Sequence, residues 1–239
     1  MNTSILVTGG TGTLGRAVVA HLRETGHRPR VMSRRPGPGH VVADLVTGSG
    51  VDAALDGVDT VINCATTLRG KRDVTATKTL VDAVRRAGCR HLVHVSIVGV
   101  DRIRFGYYNG KLASEEVVRA VPHTILRATQ FHDLLRRVFS GLAKLPLVLV
   151  PDLRFQPVDV RDVAARLVEL ALGDPIGRAP DFGGPEVREA ADLARSYLAG
   201  RRRRIVPIRL PGKAFRAYRA GFNLTPEHAD GRITFEEYL

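Results

Sequence analysis

The residues Thr8-Gly9-Gly10-Thr11-Gly12-Thr13-Leu14-Gly15 follow directly on the apolar run Ile5-Leu6-Val7 and lead into an amphipathic stretch through Ala17, Val18 and Leu22. Such an order describes a strand that turns through glycines into a helix. Gly9, Gly12 and Gly15 fall at three-residue intervals. A tight turn, a close approach of backbone to ligand, and close packing of helix on strand therefore each receive a residue without a side chain. The helix that starts there presents free amide hydrogens and the positive end of its dipole, which suit a pyrophosphate. A glycine-rich segment by itself also fits an ordinary surface turn. The strand before it and the helix after it make dinucleotide binding the stronger reading, with Gly9, Thr11, Gly12, Thr13, Leu14 and Gly15 as the lining.

Strand-like runs recur at residues 4–7, 30–32, 40–42, 60–63, 91–96, 123–126 and 155–158, with helical patterns between them, notably at 74–86 and 160–172. Leu80, Val81 and Val84 share one helical face, Val163, Leu167 and Leu170 another, and Gly88 is placed to stop the first of these helices. This alternation predicts an α/β fold, an open, doubly wound parallel sheet of the Rossmann type. In such sheets ligands bind beyond the carboxyl ends of the strands. From about residue 150 prolines break the rhythm, so residues 1–150 are expected to form the dinucleotide-binding core and 151–239 a smaller, substrate-covering region partly continuous with it. Isolated aromatics in the last segment (Phe215, Tyr218, Phe222, Phe235, Tyr238) read as docking residues of a terminal extension.

A chain of 239 residues suits one large α/β domain or such a core with an appendage. No apolar run, the longest lying near residues 145–150, approaches a membrane span, and no signal peptide precedes the first strand, so a cytoplasmic protein without membrane partners is expected. Cys64 and Cys89 are too few for a disulfide framework or a zinc site, and no metal is expected. The formal charge of +12, densest at Arg201–Arg204, would permit nucleic-acid or anionic-surface binding. Arginines are scattered along the whole chain and no nucleic-acid motif accompanies them, so no nucleic-acid partner is expected. A monomer or a homodimer is compatible with the composition.

After the second strand the chain reads Ser33-Arg34-Arg35, where an NAD-binding fold would place an acid on the adenosine ribose. A hydroxyl and two guanidinium forks match a 2′-phosphate instead, which favours NADP(H) over NAD(H). The competing reading is a pair of loop charges in an arginine-rich chain. Asp44-Leu45 and Cys64-Ala65-Thr66 lie at further strand ends, where an adenine and its ribose could rest. Asp44 is equally suited to capping the segment after it. Ser96 ends the run His-Leu-Val-His-Val-Ser, and Tyr107 and Lys111 stand four residues apart, on one face of a helix. A lysine at about 4 Å would pull the phenol toward neutral pH by an interaction of about 4 kcal/mol at an effective dielectric near 20. Ser96 could then hold a carbonyl oxygen for protonation by Tyr107. The opposing reading makes Tyr107 a half-buried aromatic and Lys111 a solvated charge. His132 and Asp133, with Phe131 and Phe139, are either lining residues of a substrate pocket or, for His132, a surface histidine.

Taken together these residues resemble the short-chain dehydrogenase/reductase superfamily, in its extended or atypical, NmrA-like branch. The resemblance rests on Gly9-x-x-Gly12-x-x-Gly15, Asp44-Leu45, Ser96 with Tyr107 and Lys111, the run from Leu126 to Phe131, the run from Pro157 to Ala164, and Phe182-Gly183-Gly184-Pro185-Glu186. It implies that Ser96 polarises a carbonyl, Tyr107 donates the proton, Lys111 holds the nicotinamide ribose, and residues 126–129, Thr129 among them, lie near the nicotinamide. Tyr108 is the second phenol that this doubled tyrosine offers to the site. The function expected is NADPH-dependent reduction of a small or medium carbonyl or quinone-like metabolite. A non-catalytic NADP-binding sensor and an NAD(P)-dependent epimerase or dehydratase are the alternatives.

Overall fold

The computed structural model describes residues 3–200 and 203–239. Its first half runs β1 (Ile5–Thr8), α1 (Thr13–Glu24), β2 (Arg30–Ser33), β3 (His40–Val42), α2 (Val51–Leu55), β4 (Thr60–Asn63), α3 (Gly70–Ala87), β5 (His91–Ile97), α4 (Gly106–Val118) and β6 (His123–Ala128). There follow α5 (His132–Leu142), β7 (Leu147–Pro151), β8 (Arg154–Phe155), α6 (Val160–Leu172), β9 (Gly177–Arg178), β10 (Arg188–Glu189) and α7 (Ala190–Tyr197). The chain closes with β11 (Arg204–Ile208), α8 (Lys213–Arg219) and α9 (Phe235–Tyr238). No helix among the described residues is long and apolar enough to cross a membrane.

Seven strands form the main sheet in the order β3-β2-β1-β4-β5-β6-β9, every pair parallel. The order reverses between β1 and β4, the point at which such a sheet opens a crevice. The fold is Rossmann-like α/β, as the alternating pattern predicts. Both faces are covered, so the central strands are buried along nearly their whole length, and the polar residues they carry, Asn63, His94 and Arg127 among them, are paired inside. Leu14, Val18 and Leu22 of α1 and Val163, Leu167 and Val168 of α6 pack on one face. Ala54 and Leu55 of α2, Leu80, Val81 and Val84 of α3, and Val118 of α4 pack on the other.

The run expected as a strand at 155–158 departs from the prediction. Only Arg154–Phe155 is extended in a ladder, and it pairs antiparallel with β10, outside the main sheet. Pro157 has no amide hydrogen to donate, and Val158 makes only an isolated bridge to Phe131. The seventh place in the sheet goes to the two-residue β9, too short to signal itself in sequence. The apolar run near residue 145 becomes β7, which pairs in parallel with β11 as a separate two-stranded ribbon. A third core cluster joins α5, β7, α7 and α9, with Phe139, Val148, Val150, Leu193 and Phe235 at its centre. Of the Arg201–Arg204 cluster, Arg201 and Arg202 lie outside the described residues.

One ion cluster fastens α4 to β6. The buried Arg127 donates through Nε and Nη2 to both Glu115 oxygens, at 2.9 and 2.7 Å, and through Nη1 to Asp101 at 3.0 Å. Removing one partner of a buried pair strands the other charge, at a cost of about 3–5 kcal/mol. Glu115→Ala is therefore expected to lower the urea midpoint by a corresponding amount; a loss under about 1 kcal/mol would show that Asp101 alone compensates Arg127.

His91, His94 and His132 are buried, and burial lowers the pKa of each, that of His94 furthest. An unfolded chain takes up these protons near pH 6.5 and the folded chain does not, so acidification favours unfolding. Stability is expected to fall below about pH 6.5, by up to about 1.4 kcal/mol per pH unit for each histidine. Against the penalty of burial, Arg127 and Arg161 hold the Asp101 and Asp159 carboxyls below their usual range, so these two act only at lower pH. Urea titrations at about pH 7.5 and 5.5 check this, and His94→Asn should reduce the difference.

Candidate functional site

The loops after β1, β2, β3, β4 and β5 all emerge at the carboxyl edge of the parallel sheet, and the glycine turn lies at its centre. Gly9 adopts a left-handed φ of +61°, and a Cβ there would stand 2.8 Å from the backbone of Ala65. A Cβ on Gly15 would stand 2.2 Å from the Gly9 carbonyl oxygen. Both positions therefore exclude a side chain, the first by conformation and contact, the second by contact alone. Gly12 caps α1 without any side-chain hydrogen bond, and the first turn of α1 holds no acid. Its open amides and dipole thus face the crevice uncompensated, which fits a pyrophosphate. The exposed Thr11 and the half-buried Thr13 stand beside this opening, whereas the Leu14 side chain is core, leaving only its backbone for a ligand.

At the same edge of the sheet a cavity of about 380 Å³ is lined by Arg34, Asp44, Val46, Thr66, Thr67, Leu68, Arg69 and Arg72. Three of the residues expected at the adenosine end, Arg34, Asp44 and Thr66, meet here. Asp44 also accepts from the amide of Val46 at 2.8 Å, so both readings of it hold together. Ser33 is buried and accepts from the Arg35 amide at 3.1 Å, shaping the turn that projects Arg34 into the cavity. Arg35 is exposed and is not among the lining residues. Leu45 is buried in the core beneath. Arg69 and Arg72 escaped the sequence reading, although the basic run Arg69-Gly-Lys-Arg72 after a strand end was the available signal.

At the other end of the crevice, Ser96 is buried near the end of β5 and its Oγ has no hydrogen-bond partner. Tyr107 and Lys111 sit on α4 one turn apart, as their spacing predicts. Thr66 donates its single hydroxyl proton to Asp73 at 3.2 Å, so the Tyr107 phenol, 3.3 Å away, is the donor to Thr66 Oγ1. The expected lowering of the Tyr107 pKa does not occur. Burial raises it, against the Thr66 hydrogen bond, and Asp73 and Tyr108 raise it further. The Lys111 ammonium is buried and donates to the Val95 carbonyl at 3.3 Å. Burial lowers the Lys111 pKa, while Asp73, Cys64 and Glu115 oppose that lowering. Cys64 has its thiol embedded beside this charge, and burial pushes it up to about 12. A thiol kept protonated in this way is a weak nucleophile at neutral pH.

Tyr108 points away from this set. Its phenol meets that of Tyr218 at 2.7 Å, and burial raises its pKa. The expectation that His132 and Phe139 line a pocket is overturned. His132 is fully buried, its Nε2 bonded to the Ile233 carbonyl at 3.0 Å and its ring against Phe235 and Tyr238, and Phe139 packs in the same cluster. Phe235 and Tyr238 close over His132, and Phe235 over Phe139, while Tyr218 and Phe222 dock elsewhere, on Tyr108 and Arg102. Thr129 is buried, with its hydroxyl donating to the Gln156 carbonyl at 2.5 Å. Beside it Gln130 is buried with neither amide atom bonded, a polar group at the end of β6 that pattern reading passed over. Beneath the crevice Thr8 donates to Asn63 at 2.6 Å, and Asn63 Nδ2 donates to His94 Nδ1 at 2.9 Å. This network fixes the ends of β1, β4 and β5 relative to each other.

Residues 9–171 match the family model described as NAD(P)H-binding. A (4-alkanoyl-5-oxo-2,5-dihydrofuran-3-yl)methyl phosphate reductase from Streptomyces griseus is 32% identical over 80% of this chain and 73% of its own. A ceramide reductase from Caulobacter vibrioides is 28% identical over 87% of this chain and 74% of its own. Among solved structures, an NADPH-dependent quinone oxidoreductase from Escherichia coli complexed with NADPH superposes with a TM-score of 0.83 over 98% of both chains, at 16% identity. That likeness shows the fold, and the family match, over more than half of the chain, shows the kinship: this chain is a member of the NAD(P)H-binding family.

Proposed function

We propose that the protein is an NADPH-dependent reductase of a small or medium carbonyl or quinone-like metabolite, with Ser96, Tyr107 and Lys111 as its working side chains. The observation that carries this reading is the Ser96 hydroxyl, buried without a partner near the end of β5. An unmade bond at a buried hydroxyl costs about 1–3 kcal/mol, which a substrate carbonyl oxygen would recover. Tyr107 suits the donor role in its observed state. A phenol whose pKa is raised stays protonated at neutral pH, as an acid that gives up a proton must. Lys111 contributes a fixed positive charge on the same helical face, held in place by the Val95 carbonyl. When bound, the dinucleotide supplies the hydride.

The glycine turn would hold the pyrophosphate on the open amides of α1. Arg34, Arg69 and Arg72 line the adenosine end beside the single acid Asp44, and no acid follows β2, the place from which a ribose 2′-hydroxyl is ordinarily held. Guanidinium bonds to a 2′-phosphate contribute about 1.5–3 kcal/mol each, which supports NADPH over NADH. The two relatives described above are named as reductases, which supports this direction of reaction.

One observation favours a second reading, a regulator that binds NADP(H) without turning it over. The Lys111 ammonium is directed to the Val95 carbonyl, and the Tyr107 phenol is engaged by Thr66. The two readings separate on one variant. Tyr107→Phe should lower NADPH oxidation with carbonyl or quinone acceptors by about 10²–10⁴-fold while NADPH binding, followed by its fluorescence, stays within about twofold. Undiminished turnover would remove Tyr107 from the mechanism, and a wild-type protein inert toward a broad acceptor panel would favour the regulator. Separately, Arg34→Ala and Arg72→Ala should each weaken NADPH binding by about tenfold and leave NADH unaffected. Equal wild-type affinity for the two dinucleotides would overturn the 2′-phosphate assignment.

A further inference from the structure

The β7–β11 ribbon has a covered face and an open one. Val148, Val150 and Ile205 turn inward to the cluster formed by α5, α7 and α9. The parallel register pairs Arg204 with Leu147, Val206 with Leu149 and Ile208 with Pro151, so these residues share the opposite face. Leu147 and Leu149 are each 41% exposed there, and Leu145, just before the strand, is 48% exposed. Parallel strands are ordinarily covered on both faces, and a two-stranded ribbon has little stability of its own. An aliphatic outer face on such a ribbon is therefore a feature that the fold does not require.

Asp152, Glu189 and Asp192 line a recess with Pro151 and Pro207 at one end of the ribbon, and the segments before β7 and around β11 are basic. Between Leu193 and Pro226 the chain carries nine Lys and Arg residues and neither Asp nor Glu, a large part of its +12. Among the described residues, Arg203, Arg204, Arg209, Lys213 and Arg216 form no salt bridge. Helix α8, which follows the ribbon, buries none of its residues fully. Arg136, Arg137 and Lys144, on α5 and just after it, are exposed as well. A second copy of the chain would bring like charges together across this face. A nucleic acid would satisfy the cations, but aliphatic side chains offer no plane on which bases stack. An anionic lipid surface satisfies both halves of the pattern, because cations meet headgroups while leucines and valines enter the acyl boundary. No spanning helix is needed for that mode of attachment.

We infer that the outer face of the β7–β11 ribbon, with the flanking unpaired arginines and lysines, docks the protein reversibly on bilayers rich in anionic phospholipid. None of these residues belongs to the dinucleotide site, so the inference stands apart from the reductase reading. The test is flotation of the full-length protein with vesicles of phosphatidylcholine alone and of phosphatidylcholine containing about one third phosphatidylglycerol, at several salt concentrations. The expected result is binding to the anionic vesicles alone, weakening as salt rises. The double variant Leu147→Ser/Leu149→Ser, altered only at exposed positions, should float at least about tenfold less while keeping its circular dichroism and dinucleotide binding. Arg204→Glu/Arg209→Glu should lose binding similarly. Failure of the wild type to float with anionic vesicles overturns the inference. So does equal binding by the leucine variant, which would mark a general polyanion site, with heparin or DNA competing. A wild-type dimer in sedimentation velocity that the leucine variant dissociates would instead show a second copy on this face.

Discussion

The structure depends on a contact between backbones that have no side chains to separate them. At Gly9 the turn after β1 presses on Ala65 after β4, and at Gly15 the first turn of α1 presses on the Gly9 carbonyl. A methyl group at either position would force the loops apart by an ångström or more, since no flexible side chain is there to yield. The contact brings the helix terminus to the place where the strand order reverses. Everything downstream of the turn inherits this position. The cavity with Arg34, Asp44 and Arg72 opens to one side, and the β4 loop that carries Thr66 reaches toward α4 on the other.

Asp73 links the two sides. Standing in the first turn of α3, it accepts from the Thr67 amide and the Thr66 hydroxyl, and its charge opposes the loss of the Lys111 proton. Lys111 is buried by the same packing that sets α4 against α3. A buried ammonium needs compensation, and here the Val95 carbonyl, Asp73 and Glu115 provide it. Burial dominates at the Tyr107 phenol, followed by the Thr66 hydrogen bond and by Asp73 and Tyr108. This is why simple spacing on a helix misjudges its protonation. Position i, i+4 places two side chains on one face, but each then bonds to what lies in front of it.

The elements most legible in the sequence were those whose signals are local. The glycine turn, the apolar strands 60–63 and 91–96, and helix 160–172 follow from periodicity and turn chemistry alone, and the sheet they form is the expected one. The partner of β7 was not legible, because β11 lies more than fifty residues further on and beta pairing at that distance leaves no local mark. His132 shows the same limit. It follows a sheet strand, where site residues gather, yet Phe235 and Tyr238, about a hundred residues later, fold back and enclose it. Arg69 and Arg72 were missed because a pattern keyed to glycines and to one expected acid gives no weight to basic residues after β4.

The terminal region is held on α4, the helix that carries Tyr107 and Lys111. Tyr218 of α8 bonds the Tyr108 phenol, and Phe222 lies under the Arg102 guanidinium at 3.5 Å from its ring centre, while its carbonyl packs on Gly99. Val100, Ile103 and Tyr108 form a small core of their own with these residues. The doubled tyrosine is thereby explained, one phenol turned toward Thr66 and the other fastening the last third of the chain. The consequence is a division of labour along the molecule. The turn at Gly9 sets the close approach of β1, β4 and α1, whereas α8 and Phe222 bear from outside on Tyr108 of α4 and on the loop after β5. Substitutions at Tyr218 or Phe222 therefore bear on α4 and the loop after β5 and leave the glycine contact, made of backbone alone, undisturbed, because the two share no residue.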